Sequence, residues 1–250
     1  MKLSVIIPAH NEEDSIGATV AAIIAALGQH QIVHEVLVVN DNSQDNTMRV
    51  IENLAEQFPT LKFVTNDGHH GYGYAVRLGL EKFTGDCVAI MMADNSDSPD
   101  DLVKFYQVMM EKKVDCVFGT RWSKGGNVVD YPLLKRIINR SANRIIRLVM
   151  NIRYNDTTNA FKMYKREVIN GLKPILAPHF NLTIELPLKA IIRGYSYAIV
   201  PNSWINRKHG VSKLKIKEMG SRYFFILMYC FIEKYFSSGD FKKGKWEEFN

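Results

Sequence analysis

Four carboxylates follow one short apolar run in this sequence, and their number and spacing suit the binding of a metal ion. The run covers residues 88–92, and the carboxylates after it are Asp94, Asp97, Asp100 and Asp101. Mg2+ and Mn2+ bind such oxygen-rich loops together with the phosphate oxygens of a substrate. The last two acids have a structural alternative, because acids and Pro99 favour the first turn of a helix, here expected over 102–112. We therefore predict that Asp94 binds the metal with help from Ser96 and Asp97, and that Asp100 and Asp101 cap the helix.

These carboxylates follow one of five apolar segments that are typical of buried strands. The segments alternate with helix patterns and cover residues 2–8, 33–40, 61–65, 88–92 and 115–119. This alternation predicts an α/β fold with a mainly parallel sheet and helices on both faces. Polar loops rich in Asp, Asn and Gly follow the first four strands, at the edge where such a sheet binds its ligand. Turn chemistry explains one or two such loops, whereas four along one edge predict a polar ligand of nucleotide size.

The composition is that of a globular protein that prefers anionic partners. The chain has 250 residues and a formal net charge of +6. We expect one domain over 1–215 and a helical, basic tail over 216–250. The charge favours nucleotides, phosphorylated substrates, nucleic acid or an anionic membrane surface as partners. Three cysteines without metal-like spacing and the lack of a signal-peptide pattern predict a cytoplasmic protein with reduced thiols.

A basic stripe marks the helix predicted over 134–152. Its arginines share one face, opposite an apolar face, and they are Arg136, Arg140, Arg144 and Arg147. Such charges usually face solvent, but like charges without acids repel one another and favour an anion opposite them. We predict contact with phosphate or with membrane headgroups. For the aromatic helix expected over 223–236, packing on the domain and shallow contact with a membrane surface both remain open.

Three loops at the predicted strand ends resemble, in this order, those of glycosyltransferase family 2. They are Pro8-Ala9-His10-Asn11-Glu12-Glu13, Asn40-Asp41-Asn42-Ser43-Gln44-Asp45-Asn46-Thr47, and Asn66-Asp67-Gly68 with Gly71 and Gly73. The likeness covers roughly residues 3–213 and implies the GT-A fold, an inverting reaction, and a nucleotide-diphosphate sugar as donor with Mg2+ or Mn2+. The nucleotide-sugar site that it implies in this sequence is Pro8, Ala9, His10, Glu12, Val39, Asp41, Ala93, Asp94, Arg121, Arg207 and Lys213.

Three further segments resemble the polyprenyl-phosphate sugar transferases of that family, the group of dolichol-phosphate mannose synthase. They are Gly119-Thr120-Arg121 with Gly125-Gly126, Asp156-Thr157-Thr158-Asn159-Ala160-Phe161-Lys162, and Arg207-Lys208-His209-Gly210-Val211-Ser212-Lys213-Leu214. This likeness implies a dolichyl or undecaprenyl phosphate as acceptor. With the basic stripe it gives an expected acceptor-phosphate site of Arg136, Arg140, Arg207 and Lys213. It also implies a peripheral enzyme on the cytoplasmic face of a membrane, without a nucleic-acid partner, whose oligomeric state stays open.

The sequence departs from the family at the metal-binding stretch. Family members commonly read Asp-Ala-Asp there, whereas this chain reads Met92-Ala93-Asp94. One expected acid is missing, so Ser96 or Asp97 is expected to supply the second oxygen to the metal.

The acceptor decides whether the reaction needs a base. A cation on Asp94 and the guanidinium of Arg121 are expected to stabilise the leaving diphosphate. A lipid phosphate, with a second pKa near ~6, is already a nucleophile at neutral pH. A sugar hydroxyl, the alternative acceptor, requires a carboxylate within hydrogen-bond reach, for which Asp156 and Glu185 are the candidates. The expected catalytic residues are accordingly Asp94, Arg121 and Asp156.

A NAD-binding oxidoreductase is a remote alternative. Gly71-Tyr72-Gly73 follows a strand and opens a helix, and Asp94 lies about 20 residues further on. The third glycine position holds Val76, however, and the loop follows the third strand rather than the first. Nucleic-acid binding is suggested by the charge alone, since no basic and aromatic motif supports it.

Overall fold

Strands and helices alternate through the part of the chain that the structure, a computed structural model, describes, which is residues 1–206 and 216–245. The strands are β1 (Leu3–Ala9), β2 (His34–Asn40), β3 (Leu61–Thr65), β4 (Cys87–Ile90), β5 (Cys116–Thr120), β6 (Asn127–Val129), β7 (Lys162–Lys165), β8 (Tyr197–Pro201) and β9 (Ser203–Ile205). The helices are α1 (Ile16–Gln29), α2 (Thr47–Gln57), α3 (Tyr72–Lys82), α4 (Pro99–Lys112), α5 (Leu133–Val149), α6 (Arg166–Gly171), α7 (Leu182–Ile192) and α8 (Ile216–Phe236).

Seven strands form one mixed sheet in the order β3-β2-β1-β4-β7-β5-β8. Strand β7 runs antiparallel to its neighbours β4 and β5, and the other neighbouring pairs are parallel. Strands β6 and β9 form a separate two-stranded sheet. The predicted α/β fold with a mixed, mainly parallel sheet is confirmed.

Side chains of the sheet point alternately into two apolar cores, one on each face. Within β1, Ile6 belongs to one core, and Val5 and Ile7 belong to the other. Helices α3, α7 and α8 cover the first core, and α1, α2 and α4 cover the second. Strand β1 is buried along its whole length, which explains why its sequence is almost continuously apolar.

Helix α4 begins with the residues expected to cap it. Pro99 is its first residue, and Asp100 and Asp101 lie in its first turn, where acids are favourable. Asp101 also accepts a hydrogen bond from the backbone N–H of Ser203 at 2.7 Å, which ties α4 to β9. The helix therefore starts at once after the polar loop that holds Asp94.

Helix α8 packs against the first core. Ile226 and Cys230 are buried there. Arg193, at the end of α7, donates from Nε and Nη2 to the two carboxylate oxygens of Glu233 at 2.7 and 2.8 Å. This face of α8 therefore packs on the domain, which was one of the two expectations for the tail. The domain boundary between residues 215 and 216 stays a prediction. No helix in the described ranges is long and apolar enough to cross a membrane.

Helix α5 contacts the domain through a narrow face, on which Asn143 and Ile146 are buried. Most of its apolar residues are exposed instead: Leu133, Leu134, Ile137, Ile138, Ile145, Leu148 and Val149. The apolar face of this helix is therefore not the face that packs on the domain.

Candidate active site

A cavity of about 870 Å3 opens at the carboxyl ends of the central strands. The loops after β1, β2, β4 and β5 form its polar wall, and α5, α7 and α8 form most of its apolar wall. The residues expected at the nucleotide sugar or the metal that line this cavity are Pro8, Ala9, His10, Glu12, Asp41, Asp94, Ser96, Asp97 and Arg121. The topology thus brings together side chains from four separate loops.

Some expected site residues do not line the cavity. Val39 is buried near the end of β2, and Ala93 is buried in the loop after β4; neither is among the residues that line the cavity. Arg207 and Lys213, expected at the nucleotide sugar and at the acceptor phosphate, lie outside the described residues. Their roles stay predictions.

Arg136 and Arg140 are not among the cavity-lining residues either. Each holds its guanidinium 5.7 Å from the ring centre of Trp122. The α5 residues that reach the polar wall are Lys135 and Asn139, one position before each of these arginines. The sequence did not single out Lys135 and Asn139, because the charge pattern of the four arginines marks a neighbouring face of the helix.

Asp41 joins two of the cavity loops. Its Oδ1 accepts a hydrogen bond from Asn66 Nδ2 at 2.7 Å, and its Oδ2 accepts one from the backbone N–H of Gly71 at 2.8 Å. His10 Nδ1 lies 2.7 Å from the backbone oxygen of Asp41, so the first loop is bound to the second. The carboxylate therefore holds the loops after β2 and β3 in place besides facing the cavity.

The loop after β4 presents an incomplete oxygen cluster to the cavity. Asp94 Oδ1 accepts from the backbone N–H of Ser96 at 3.2 Å, and Asp97 Oδ2 accepts from that of Met92 at 3.1 Å. The hydroxyl of Ser96 is buried and has no hydrogen-bond partner among the described residues. Burial raises the pKa of the Asp97 carboxyl to about 7, and the nearby charge of Asp94 adds to the rise.

This loop suits a hard cation that is also bound by phosphate. Within the described ranges, no three His, Cys, Asp or Glu side chains converge on a metal site of their own. Mg2+ needs only one or two carboxylates when phosphates and waters complete its shell. Asp94, Asp97 and the unpartnered Ser96 hydroxyl are such oxygens, and a cation beside Asp97 would offset the cost of ionising it.

Arg121 is held by a buried ion pair. Asp156 accepts hydrogen bonds from Arg121 Nε at 2.8 Å, from Nη2 at 2.7 Å and from its backbone N–H at 2.9 Å. Burial opposes the charge of Arg121, but the charge and hydrogen bonds of Asp156 outweigh it and raise the pKa of the guanidinium. Asp156 is fully buried and is not part of the cavity wall. Its contacts fit the positioning of Arg121 better than the removal of a proton from a substrate.

Glu185, the other candidate base, is also enclosed by protein. Its oxygens accept hydrogen bonds from the backbone N–H groups of Leu176 and Ala177 at 2.8 and 2.6 Å. The ammonium of Lys189 lies 2.6 Å from it, and both side chains are fully buried. Glu185 therefore shapes the segment before α7 and does not face the cavity.

Lys162 donates hydrogen bonds to two chain segments that contribute to the cavity wall. Its ammonium donates to the backbone oxygens of Thr157 and Thr183 at 3.1 Å each, and also to that of Asn159. Lys162 is almost completely buried. Burial lowers the pKa of this amine to about 7, against the opposing charge of Asp156.

The glycines of the third loop serve the close approach of two chain segments. A Cβ atom on Gly73 would lie 2.5 Å from the backbone oxygen of Ala177, and one on Gly71 would lie 2.6 Å from His179 Nδ1. Gly71 also has a φ of +143°, which favours glycine. In a dinucleotide-binding fold, the pyrophosphate lies in front of the N-terminus of the corresponding helix. In this protein the segment before α7 occupies that space in front of α3.

The cavity continues as an apolar groove between α5 and α8. The residues that line it there are Ile138, Ala142, Ile145, Ile146, Tyr223, Phe224 and Leu227. Polar groups at the strand ends and an apolar passage thus belong to one continuous space.

The sequence profile of glycosyl transferase family 2 matches residues 4–172. The chain belongs to this family. This match confirms the resemblance that the strand-end loops indicated. The protein is therefore a glycosyltransferase.

Two curated relatives of this family 2 chain have similar sequences. The dolichol-phosphate mannosyltransferase of Pyrococcus furiosus is 31% identical over 87% of the chain and 60% of the relative. The polyprenol monophosphomannose synthase of Mycolicibacterium smegmatis is 29% identical over 84% of the chain and 80% of the relative. The chain thus spans less than two thirds of the length of the first of them.

Solved structures share the fold of this family 2 chain. Glucosyl-3-phosphoglycerate synthase from Mycobacterium tuberculosis, crystallised with Mn2+, uridine diphosphate and phosphoglyceric acid, superposes with a TM-score of 0.71 at 18% identity. The match covers 92% of the chain and 78% of that protein. A structure of the same synthase with Mg2+ and uridine diphosphate gives a TM-score of 0.68 at 18% identity.

Proposed function

We propose that this protein transfers a sugar from a nucleotide-diphosphate sugar to a polyprenyl phosphate, with inversion at the anomeric carbon. One observation carries the proposal: the polar cavity at the strand ends continues into an apolar groove between α5 and α8. A nucleotide donor alone would not need such a groove, whereas an acceptor with a phosphate head and an isoprenoid chain fits both parts. The names of the two curated relatives support the same substrates.

The donor lies against the loops after β1, β2 and β4. His10, Glu12 and Asp41 face the nucleotide, and Asp94 with Ser96 and Asp97 would hold Mg2+ or Mn2+ on its diphosphate. The metal ions in the structures of the mycobacterial synthase support this use of a divalent cation. When bound, the cation would offset the negative charge that the diphosphate gains as it leaves.

The acceptor phosphate lies between the β5 loop and α5. Arg121 and Lys135 line this part of the cavity, with Asn139 beside them. Asn139 is itself oriented, since its Nδ2 donates to Thr158 Oγ1 at 2.8 Å and its Oδ1 accepts from Trp122 Nε1 at 3.3 Å. Two cations next to the reaction centre hold the phosphate oxygen against the anomeric carbon.

A hydroxyl acceptor has less support. It requires a base, and the two carboxylates considered for that role, Asp156 and Glu185, are both buried in ion pairs. A phosphate with a second pKa near ~6 needs no base at neutral pH. We infer that the enzyme works peripherally on the cytoplasmic face of a membrane, where its acceptor lies, and its free, buried cysteines fit a reducing compartment.

A donor screen tests the proposal. The full chain is incubated with Mn2+, a short-chain polyprenyl phosphate and each of several UDP- and GDP-sugars, and the released nucleotide and the glycolipid are measured. We expect one donor to give both products in equal amounts. Nucleotide release that needs no polyprenyl phosphate, or sugar transfer to a saccharide hydroxyl instead, would contradict the proposed acceptor.

A further inference from the structure

Two aromatic side chains beside the small sheet of β6 and β9 line the cavity. Tyr131 lies two residues after β6, and Trp204 lies within β9. Their ring centres are 4.9 Å apart, in an edge-to-face arrangement with the planes inclined at 68°. Both residues are partly exposed. This aromatic pair, Tyr131 and Trp204, is therefore accessible to a ligand in the cavity.

One end of the aromatic pair is attached to the loop that is proposed to hold the metal. Trp204 forms an antiparallel β-bridge with Asp97. The backbone N–H of Ile205 donates to the backbone oxygen of Ser96 at 3.0 Å. The position of Trp204 is therefore set by the loop that faces the diphosphate in the proposed function.

The other end of the aromatic pair contacts Arg121. The guanidinium carbon of Arg121 lies 5.9 Å from the ring centre of Tyr131. Asn206, which also lines the cavity, donates from Nδ2 to the backbone oxygen of Asp130 at 3.1 Å. This bond joins the segment after β9 to the residue before Tyr131. The aromatic pair therefore connects the proposed metal loop with the proposed acceptor site.

The transferred sugar has to lie between these two sites. Its anomeric carbon is bonded to the diphosphate at Asp94 and Asp97 and is attacked by the phosphate at Arg121. This step rests on the proposed function. A pyranose ring exposes C–H groups on its faces, and their partial positive charge is attracted to the negative face of an aromatic ring. Its hydroxyls can bind the side-chain amide of Asn206, which has two donors and an acceptor oxygen.

The nucleotide base is a less suitable partner for the aromatic pair. His10 and Asp41, which face the nucleotide in the proposed function, follow β1 and β2, whereas the pair contacts the loops after β4 and β5. In the strand order β3-β2-β1-β4-β7-β5-β8, β2 and β5 are four positions apart. At the usual spacing of strands this is about 19 Å, more than one base can span. The strand order therefore favours the sugar.

We propose that Tyr131 and Trp204 bind the sugar ring of the donor by stacking against its C–H groups, and that Asn206 binds its hydroxyls. These residues thereby select the donor by its sugar and leave the affinity for the nucleotide unchanged. The quantity that reports their contribution is the affinity for a nucleotide-diphosphate sugar divided by the affinity for the same nucleotide diphosphate.

The test is calorimetric titration of the full chain in Mg2+ with UDP-glucose and GDP-mannose, and with UDP and GDP as references, without any acceptor. In Trp204→Leu this affinity ratio should fall roughly tenfold, because the sugar loses its aromatic contact. Trp204→Phe keeps an aromatic face and should retain most of the ratio. Tyr131→Leu should lower the ratio as well, and it provides the test if Trp204→Leu does not fold.

The matched control is Phe236→Leu, an exposed aromatic residue at the end of α8 that does not line the cavity, and it should keep the ratio. An equal loss of affinity for nucleotide sugars and reference nucleotides in Trp204→Leu would overturn the proposal, because the ring would then only support the metal loop. An unchanged ratio, or the same loss in Trp204→Phe, would overturn it too.

These titrations contain no acceptor, which separates this proposal from the proposed function. Failure of transfer to a polyprenyl phosphate would count against the proposed function and leave the sugar contact intact. Failure of both nucleotide sugars to bind the unmodified chain would overturn the proposed donor and the sugar contact together.

Discussion

The carboxylates in and around the cavity wall divide into those that line the cavity and those that face only protein. Asp94 and Asp97 belong to the first group, and Asp156 and Glu185 belong to the second. The distinction matters because a buried, paired carboxylate cannot accept a proton or a metal without breaking its ion pair. Substitutions in the two groups should therefore have different consequences.

Replacement of Asp94, the proposed metal-binding carboxylate, should stop the reaction. We expect Asp94→Ala to abolish sugar transfer while leaving the melting temperature nearly unchanged, because Asp94 lies at the cavity surface. The control is Asp100→Asn in the exposed first turn of α4, which should keep near-normal activity and lose at most about 1 kcal/mol of stability. Near-normal activity of Asp94→Ala would refute the metal assignment.

Replacement of the partner of Arg121 should damage stability and activity together. In Asp156→Asn the buried guanidinium keeps its charge without a counter-ion, which costs about 3 kcal/mol of unfolding free energy. The exposed Asp130→Asn is the control. Denaturant unfolding and kcat are the measurements. A stable Asp156→Asn variant that loses activity only with hydroxyl acceptors would instead indicate a general base.

The buried Lys162 should give the protein a pH-dependent stability. Its folded pKa, about 7, lies below the ordinary value of 10.5, so above pH 7 the unfolded chain binds more protons than the folded one. Folding therefore gains stability as the pH rises through this window, by up to about 1.4 kcal/mol per pH unit. The unfolding free energy of the unmodified chain relative to Lys162→Met should rise between pH 7 and pH 9. Parallel curves for the two proteins would contradict this titration.

The roles of these residues are only partly visible in the sequence. The loop with Asp94 can be predicted because a polar, acidic segment directly after a buried parallel strand is typical of a ligand site. Asp156 and Glu185 are candidate bases by sequence, since sequence does not tell whether a carboxylate faces a cavity or a cation. Their partners, Arg121 and Lys189, are known only from the packing.

At the scale of elements, the segment before α7 sets the position of α3. The backbone of residues 177–179 fits against Gly71 and Gly73 and is fixed by the hydrogen bonds of Glu185. Tyr72, between the two glycines, lines the cavity and stacks on Phe180 with ring centres 4.5 Å apart. A change in this contact should therefore alter the position of Tyr72 in the cavity wall.

A methyl group at this contact should disturb both stability and activity. In Gly73→Ala the new Cβ would lie 2.5 Å from the backbone oxygen of Ala177, so one segment must move, at a cost of about 1–3 kcal/mol. The matched control is Gly28→Ala near the end of α1, whose Cβ meets nothing within 4 Å. That control should be neutral or up to about 1 kcal/mol more stable. Thermal unfolding and kcat/KM are the measurements, and equal behaviour of the two variants would refute the role of the contact.

The periodicity of the sequence predicted the positions of the strands and helices better than it predicted how they pack. Strands such as Leu61–Thr65 appear where the apolar runs predicted them. Helix α5 also forms, but its apolar residues lie on the exposed side. Periodicity identifies an apolar face, and it does not reveal whether protein, lipid or another chain covers that face.

At the scale of the whole molecule, occupation of the cavity should stabilise the fold. A nucleotide-diphosphate sugar at a hundredfold excess over its Kd adds about 2.7 kcal/mol to the unfolding free energy. For a domain of this size that corresponds to a rise of about 5–10 °C in melting temperature. We expect this rise with UDP- or GDP-sugars only when Mn2+ is present, and a smaller one for Asp94→Ala. A shift with NAD(H) alone would revive the oxidoreductase alternative.

The antiparallel strand β7 also has a consequence for how the chain is made. Its residues pair with β4 and β5, so β4 lacks its second neighbour until the ribosome has passed Lys165, and β5 has no neighbour in the sheet before then. At usual rates of synthesis, β4 waits about 4–15 s for that partner. During this interval the nascent chain exposes an apolar strand edge, the kind of surface on which other chains aggregate. Chaperone demand during translation should therefore peak before β7 emerges, and a chain truncated after β5 should be insoluble.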